Sequence, residues 1–423
     1  MSAEYFDTVV VGGGQAGLAL SAHLGADKVN HVVLERARIA ERWRSERWDS
    51  LVMNGPAWHD RFPGLGFDDM EPDSFPDKDR VVRYFEEFAK LINAPVRCGV
   101  DVQQVRKIEG RHAFRIETSH GVLEAANVVA ATGPFQRPVI PPILPESAGV
   151  MQLHSSAYKN PAQLPDGAVL VVGAGASGGQ IADELLKAGR QVYLSVGPHD
   201  RPPRSYRGRD YCWWLGVLGL WDIPAPTPGT EHVTISVSGV DGGKTVDFRN
   251  LAADGVVLLG MTDRYEAGTL FFRADVAENV AHGDANYLSV LDQADVYIAR
   301  HGLELPEEPQ ARRFPATPDC VTNPILSLDL VEAGVSTILW ATGYAPDYPW
   351  LKADVFTDNG RPIHQRGVTS EPGLYFLGLP WQSRRGSAFI WGVWHDAKHI
   401  ADQIGIQRAY RTYHDAHPAK PAP

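Results

Sequence analysis

The chain has only three cysteines, Cys98, Cys212 and Cys320, and no two of them stand in a C-x-x-C arrangement. That excludes the paired-thiol redox motif and leaves no cysteine-rich zinc site; each thiol reads as an ordinary buried or half-buried side chain. Positive charge is also short: 40 lysines and arginines stand against 51 acids, a formal charge of −11. Nucleic acid and anionic membrane surfaces are poor partners for such a balance. No apolar run approaches the ~18 residues of a membrane span. The opening Met1, Ser2, Ala3 and Glu4 carry no basic stretch followed by an apolar one, so no export signal is expected and a cytoplasmic location is. What is left is 423 residues, 44% hydrophobic and 22% charged, the make-up of a globular enzyme with two or three domains.

The strongest local signal lies at the start. Residues 7–11 form a β-branched apolar run, followed by Gly12, Gly13, Gly14, Gln15, Ala16 and Gly17, and then by small helix-compatible residues. A second apolar run, 31–34, ends on Glu35, twenty-one residues past Gly14. Strand, glycines, helix, strand and acid in this order describe a dinucleotide site. The glycines allow a tight turn and close approach of backbone to pyrophosphate, the helix N-terminus offers N–H donors, and the acid accepts from a ribose hydroxyl.

The design recurs at 168–172, with Gly173, Gly175, Ser177 and Gly178 as the loop and 180–188 as the helix. This time the second strand ends on Ser195, with no acid at the ribose position, and Arg201, Arg204, Arg207 and Arg209 follow. A missing acid removes repulsion toward a 2′-phosphate, and guanidinium groups match that phosphate, so NADPH rather than NADH is expected; the other reading of these arginines is a solvated loop. Ala-Thr-Gly follows a strand twice, at Thr132 and Gly133 and again at Thr342 and Gly343, which points to paired crossings between nested domains. The prolines between 134 and 145 form a stiff connector. An amphipathic helix is expected from Asp77, a hairpin around Asp241 with arms 233–237 and 244–248, and helices over 275–279, 287–301 and 387–404. The aromatic stretch 211–221 reads either as core or interface or as a substrate entrance, and 414–423 as a frayed end. Asn54, ahead of Gly55 and Pro56, reads by itself as a turn residue.

Taken together, the stretches 12–17, 43–56, 173–178, 195–209, 340–344 and 376–381 resemble the flavin-containing monooxygenases, flavoproteins with two dinucleotide-binding domains, and among them the bacterial CzcO-like branch related to the YUCCA enzymes. The likeness covers nearly the whole chain. It implies an α/β fold of two nested Rossmann-like domains: a discontinuous FAD domain, 1–163 and 340–423, with an NADPH domain, 164–339, inserted. It implies hydride transfer from NADPH to FAD and oxygenation of a small organic substrate by O2 through a flavin C4a-(hydro)peroxide; a flavin-dependent NADPH reductase or oxidase, and last a nucleotide-sensing regulator, are the rival readings. On this likeness Arg36, Trp43, Thr132, Gly133, Thr342 and Gly343 join the cofactor contacts. Asn54 matches the asparagine beside the flavin peroxide, although the Thr or Ser that often follows it is Gly55 here. The family's Phe-x-Gly-x-x-x-His linker is half kept, with Ala148 and a displaced Gly149 before His154, which reads as a structural histidine or a catalytic base. Arg384, Arg385, Trp391, Trp394 and His395 read as substrate-side groups or as packing and surface groups. A homodimer is common for such folds. No nucleic acid or membrane is expected as a partner.

Overall fold

The computed structural model describes residues 3–224 and 235–416. Two parallel-dominated sheets carry the two glycine loops. In the first sheet the strand Glu4–Val11 lies between His31–Glu35 and Gly121–Ala130, parallel to both, with Val9 opposite Val32 and Val128. Val96–Cys98 extends one side, Leu374–Phe376 also runs parallel to Gly121–Ala130, and Val102–Lys107 and Phe114–Thr118 complete an antiparallel meander. Val9, Val10, Val32, Val33, Val128 and Val129 are all fully or almost fully buried, as β-branched residues covered on both sheet faces should be.

The second sheet has five parallel strands in the order Val257–Leu259, Val192–Ser195, Ala168–Val172, Val335–Trp340, Met151–His154. Its centre repeats the first: a glycine-loop strand flanked by the strand that ends at the ribose position and by a strand that ends in Ala-Thr-Gly. The chain crosses between the two units as a pair of connectors, Arg137–Pro138 and Tyr344–Ala345, hydrogen-bonded antiparallel. Because Met151–His154 pairs with Val335–Trp340, it belongs to the second sheet, ahead of the expected boundary at 163. A four-residue strand names its partner only through register, which no local pattern carries.

Two expectations are corrected. Among the described residues the hairpin around Asp241 is absent: Asp241 and Gly242 form a tight left-handed turn, and Phe248–Ala253 is a helix capped by Asp247, whose side chain accepts from Arg249 N. Residues 233 and 234 of its first arm lie outside the described residues. The two helices expected between 275 and 301 are one, Val276–His301, because Gly283 inside it sits where a Cβ would press on His199 Nε2 at 2.6 Å and so packs tightly without breaking the helix. The helix Lys78–Leu91 begins at Asp77, which caps Arg80 N at 2.7 Å. The last helix, Ile390–Ala416, packs on the helix Gln15–Ala26. Of the tail expected to fray, 417–423 lie outside the described residues. Among the described residues no helix is long and apolar enough to cross a membrane.

Candidate functional site

Each glycine loop is built by close approach. Gly12 has φ +115°, and a Cβ there would stand 2.5 Å from the Ala131 carbonyl oxygen; Gly173 has φ +117°, with the Ala341 carbonyl oxygen at the same 2.5 Å. Gly17 and Gly178 press their helices onto the loop, where a Cβ would fall 1.9 Å from Gly12 O and 1.8 Å from Gly173 O. These two do not line the cavity; they set the helix–strand distance. Gly14 and Gly175 are the N-caps of the helices Gln15–Ala26 and Ala176–Lys187, and neither uses a side-chain cap, so the first-turn N–H groups are left for a ligand.

Both loops open on one cavity of about 1410 Å3. At the first, Glu35 accepts from Gly13 N at 2.7 Å on one carboxylate oxygen and from Ala37 N at 2.9 Å on the other. Each oxygen keeps lone-pair capacity for a ribose hydroxyl. A Cβ at Gly14 would meet nothing within 4 Å, so the loop presents open backbone to the cavity. These residues fit the ribose and pyrophosphate of a dinucleotide. Gly12, Gln15, Ala16, Arg36, Trp43, Asn54, Thr132 and Gly133 line the same cavity, and so do Gly173, Gly175, Ser177, Ser195, Thr342 and Gly343 from the second half. The Ala-Thr-Gly turns are pinned alike: Thr132 Oγ1 accepts from Gln136 Nε2 at 2.8 Å, and Thr342 Oγ1 donates to the Val139 carbonyl.

The arginines of the second loop are placed elsewhere. Arg201 is 2% exposed, bonds Asp284 at 2.8 Å and Asp247 at 3.3 Å, and lies over the rings of Tyr287 and Phe314. Arg204 forks onto Asp210 and donates to the Asn54 carbonyl at 2.6 Å. Arg207 is taken by Asp295 and Glu307. Neither Arg201 nor Arg204 lines the cavity, so the assignment of a 2′-phosphate to them is corrected: their charge is spent inside the fold, where a lone guanidinium would be costly to strip of its partners. Ser195 is spent as well, donating to Gly260 O at 2.9 Å and accepting from Thr262 N at 3.1 Å.

His154 is a structural group. Its Nδ1 accepts from Ser156 N at 3.1 Å, so Nε2 carries the proton and donates to the Gly343 carbonyl at 2.9 Å. Burial lowers its pKa, and it does not line the cavity. Gly149, with φ +77°, ends a short turn in the left-handed region, which places the linker's glycine there. At Gly55 a Cβ would stand 2.3 Å from the Asp60 carboxylate, so a Thr or Ser here, common in the resembled family, would need the Asp60 side chain to move.

The aromatic stretch 211–221 is divided between two roles. Trp214 is fully buried core, whereas Tyr211, Cys212, Leu215 and Trp221 line the cavity. Burial pushes the Tyr211 hydroxyl up to about 12 and the Cys212 thiol well up, so both stay neutral. Arg385 faces them and donates to Tyr211 Oη at 3.3 Å. Of the tail groups, Arg385 alone lines the cavity. Arg384 pairs with Asp222, Trp394 packs on Phe62 and Phe88, Trp391 packs on His59 and Trp221, and His395 lies in a separate, smaller hollow. Gln180, which also lines the cavity, carries no sequence signal beyond being a polar residue in a glycine-loop helix.

Comparison with known proteins agrees with this geometry. Residues 9–207 match the pyridine nucleotide-disulphide oxidoreductase family. The chain is 34% identical over 402 residues to the CzcO-like oxidoreductase of Geobacillus kaustophilus, covering 94% of this chain and 98% of that one. It is 35% identical over 417 residues to indole-3-pyruvate monooxygenase YUCCA1 of Oryza sativa subsp. japonica, covering 94% and 91%. The fold is similar to that of the flavin-containing monooxygenase from Stenotrophomonas maltophilia, with a TM-score of 0.66 at 20% identity over 96% of this chain and 99% of the other. The chain belongs to the flavin monooxygenase family, as a flavin-dependent oxidoreductase with a two-unit Rossmann-type fold.

Proposed function

We propose that this protein is an NADPH- and O2-dependent FAD monooxygenase acting on a small organic substrate. One observation carries the reading: two glycine loops of the same design, one with an acid at the ribose position and one without, open on a single cavity that Asn54 also lines. Gly12, Gly14, Gln15 and Glu35 would hold the FAD, and Gly173, Gly175 and Ser177 the nicotinamide nucleotide. A bound flavin supplies the hydride acceptance and the reaction with O2. The chain's own part is to orient both nucleotides, to present the Asn54 amide as a hydrogen-bond donor, and to exclude water with the apolar wall of Tyr211, Leu215 and Trp221. Dithiol chemistry, which the name of the matched family includes, has no cysteine pair to use, since Cys98, Cys212 and Cys320 are all free.

The test is rapid mixing of the yellow protein, reduced by NADPH without oxygen, with aerated buffer. A long-lived near-ultraviolet species distinct from oxidised flavin is the expected result. Immediate return to oxidised flavin with an equal amount of H2O2, with or without any substrate offered, favours a reductase or oxidase. No reduction by NADPH overturns the nicotinamide assignment.

A further inference from the structure

Asn54 is gripped from the second sheet's side of the cavity. Arg204 Nη1 donates to its backbone carbonyl at 2.6 Å, and its side-chain Oδ1 accepts from Gln180 Nε2 at 2.9 Å. The same Nε2 donates to the Val237 carbonyl at 2.7 Å. A backbone carbonyl only accepts, so Gln180 must turn its NH2 group toward it, and both N–H bonds are then in use. The atom of Asn54 that meets this NH2 has to be the oxygen. Asn54 Nδ2, the donor end, is thereby left without an acceptor among the described residues, on a residue that lines the cavity.

Stability explains only part of the polarity of Gln180. The side chain is 6% exposed and its Oε1 has no hydrogen-bond partner among the described residues. An unmet buried acceptor weakens a fold and offsets part of what the bonds to the Val237 carbonyl and Asn54 Oδ1 contribute. Groups kept at such a cost cluster where geometry serves function.

We propose that Gln180 is a positioning residue that fixes the Asn54 amide so that its donor, and not its acceptor, faces the reacting cavity. The proposal rests on the reading of Asn54 as a group beside a bound flavin. Methionine at 180 matches glutamine in length and removes both donors, which frees Asn54 to present either end. Gln180→Glu offers a carboxylate instead, which draws Asn54 Nδ2 toward itself and turns the acceptor outward.

The experiment uses the full-length FAD-loaded protein, reduced by light and a sacrificial donor and then mixed with aerated buffer. Light reduction keeps it apart from the NADPH assignment. Asn54→Ala and Gln180→Met should each speed the return of oxidised flavin on the order of tenfold, the lower end of what one lost preorganised donor does. The double variant should be no faster than Asn54→Ala, because Gln180 acts only through Asn54. A second readout needs no turnover: in protein labelled with 15N-asparagine, the Asn54 side-chain amide signal, identified by its loss in Asn54→Ala, should be sharp in the wild type and broadened or shifted in Gln180→Met. Multiplied effects in the double variant, a wild-type rate in either single variant, or an unchanged amide signal overturns the proposal. A protein that takes up no flavin removes the reading of Asn54 as well, and the amide signal, read on the protein as purified, tells the two failures apart.

Discussion

Glu35 holds two backbone N–H groups on its two oxygens, so it shapes the loop and faces the cavity at once. Glu35→Ala should raise the dissociation constant for FAD by about 10- to 100-fold, the weight of one or two charge-assisted hydrogen bonds; equilibrium dialysis of the apoprotein measures it, and an unchanged constant would remove Glu35 from the site. Arg201 makes the opposite case. Its position after the second strand is visible in the sequence, but its partners Asp247 and Asp284 lie 46 and 83 residues further on, beyond any local pattern. Arg201→Met should cost about 1–3 kcal/mol of stability, because Asp247 and Asp284 lose one buried partner while Asp284 keeps Arg249 and Asp247 the Arg249 N–H. The ratio of kcat/KM for NADPH to that for NADH should not move. A lost NADPH preference in a protein of full stability would return this arginine to the phosphate. For Asn54 the sequence offers a turn residue, and only the opposing Gln180 and Arg204 show its amide held in one orientation.

The two glycine loops were legible as elements because their constraints are local: a tight turn, a helix start and a buried strand all fall within thirty residues. Gly17 and Gly178 test them separately. Gly17→Ala should prevent retention of FAD, since even a methyl group must displace the helix from Gly12 O. Gly178→Ala should keep the yellow colour and lose reduction by NADPH, since only the second loop is disturbed. Absorbance after gel filtration and anaerobic NADPH titration report the two losses, and a Gly178→Ala protein reduced at the wild-type rate would take the nucleotide away from this loop. Elements without a local constraint differ from expectation. The expected hairpin around Asp241 had turn chemistry but no partner strand, and Asp247 caps a helix there instead. The strand Met151–His154 pairs into the second sheet, ahead of the expected boundary at 163, and no local pattern shows it because its neighbour, Val335–Trp340, is almost two hundred residues away.

Across the whole molecule, several histidines are buried neutral. His199 is the clearest: it donates from Nδ1 to Gly197 O at 2.9 Å, and burial pushes its pKa from 6.5 to about 4. Below 6.5 the unfolded chain takes up a proton that the folded chain refuses, so stability is full above that pH and falls as pH drops toward 4. The slope from this one group is up to about 1.4 kcal/mol per pH unit. His199→Asn keeps a donor for Gly197 O and should make denaturant-unfolding free energy less steep across that window by one proton; an unchanged slope would show that His199 titrates normally in the fold.

Sequence alone determined the two dinucleotide loops, the acid at one ribose position and its absence at the other, the nested order of the units and the lack of a dithiol pair. Each of these is written within a short stretch by residues with few alternatives: glycine where backbone must approach backbone, β-branched residues in covered strands, an acid at a strand end. Tertiary structure decided the rest. It set which arginines are already neutralised by distant carboxylates, and which tail residue, Arg385, reaches the cavity while Arg384 and Trp394 do not. It also set which end of the Asn54 amide is free. Charge pairing, burial and amide orientation depend on what lies opposite in space, and a chain folded into two interleaved sheets puts opposite each group residues that no window of sequence contains.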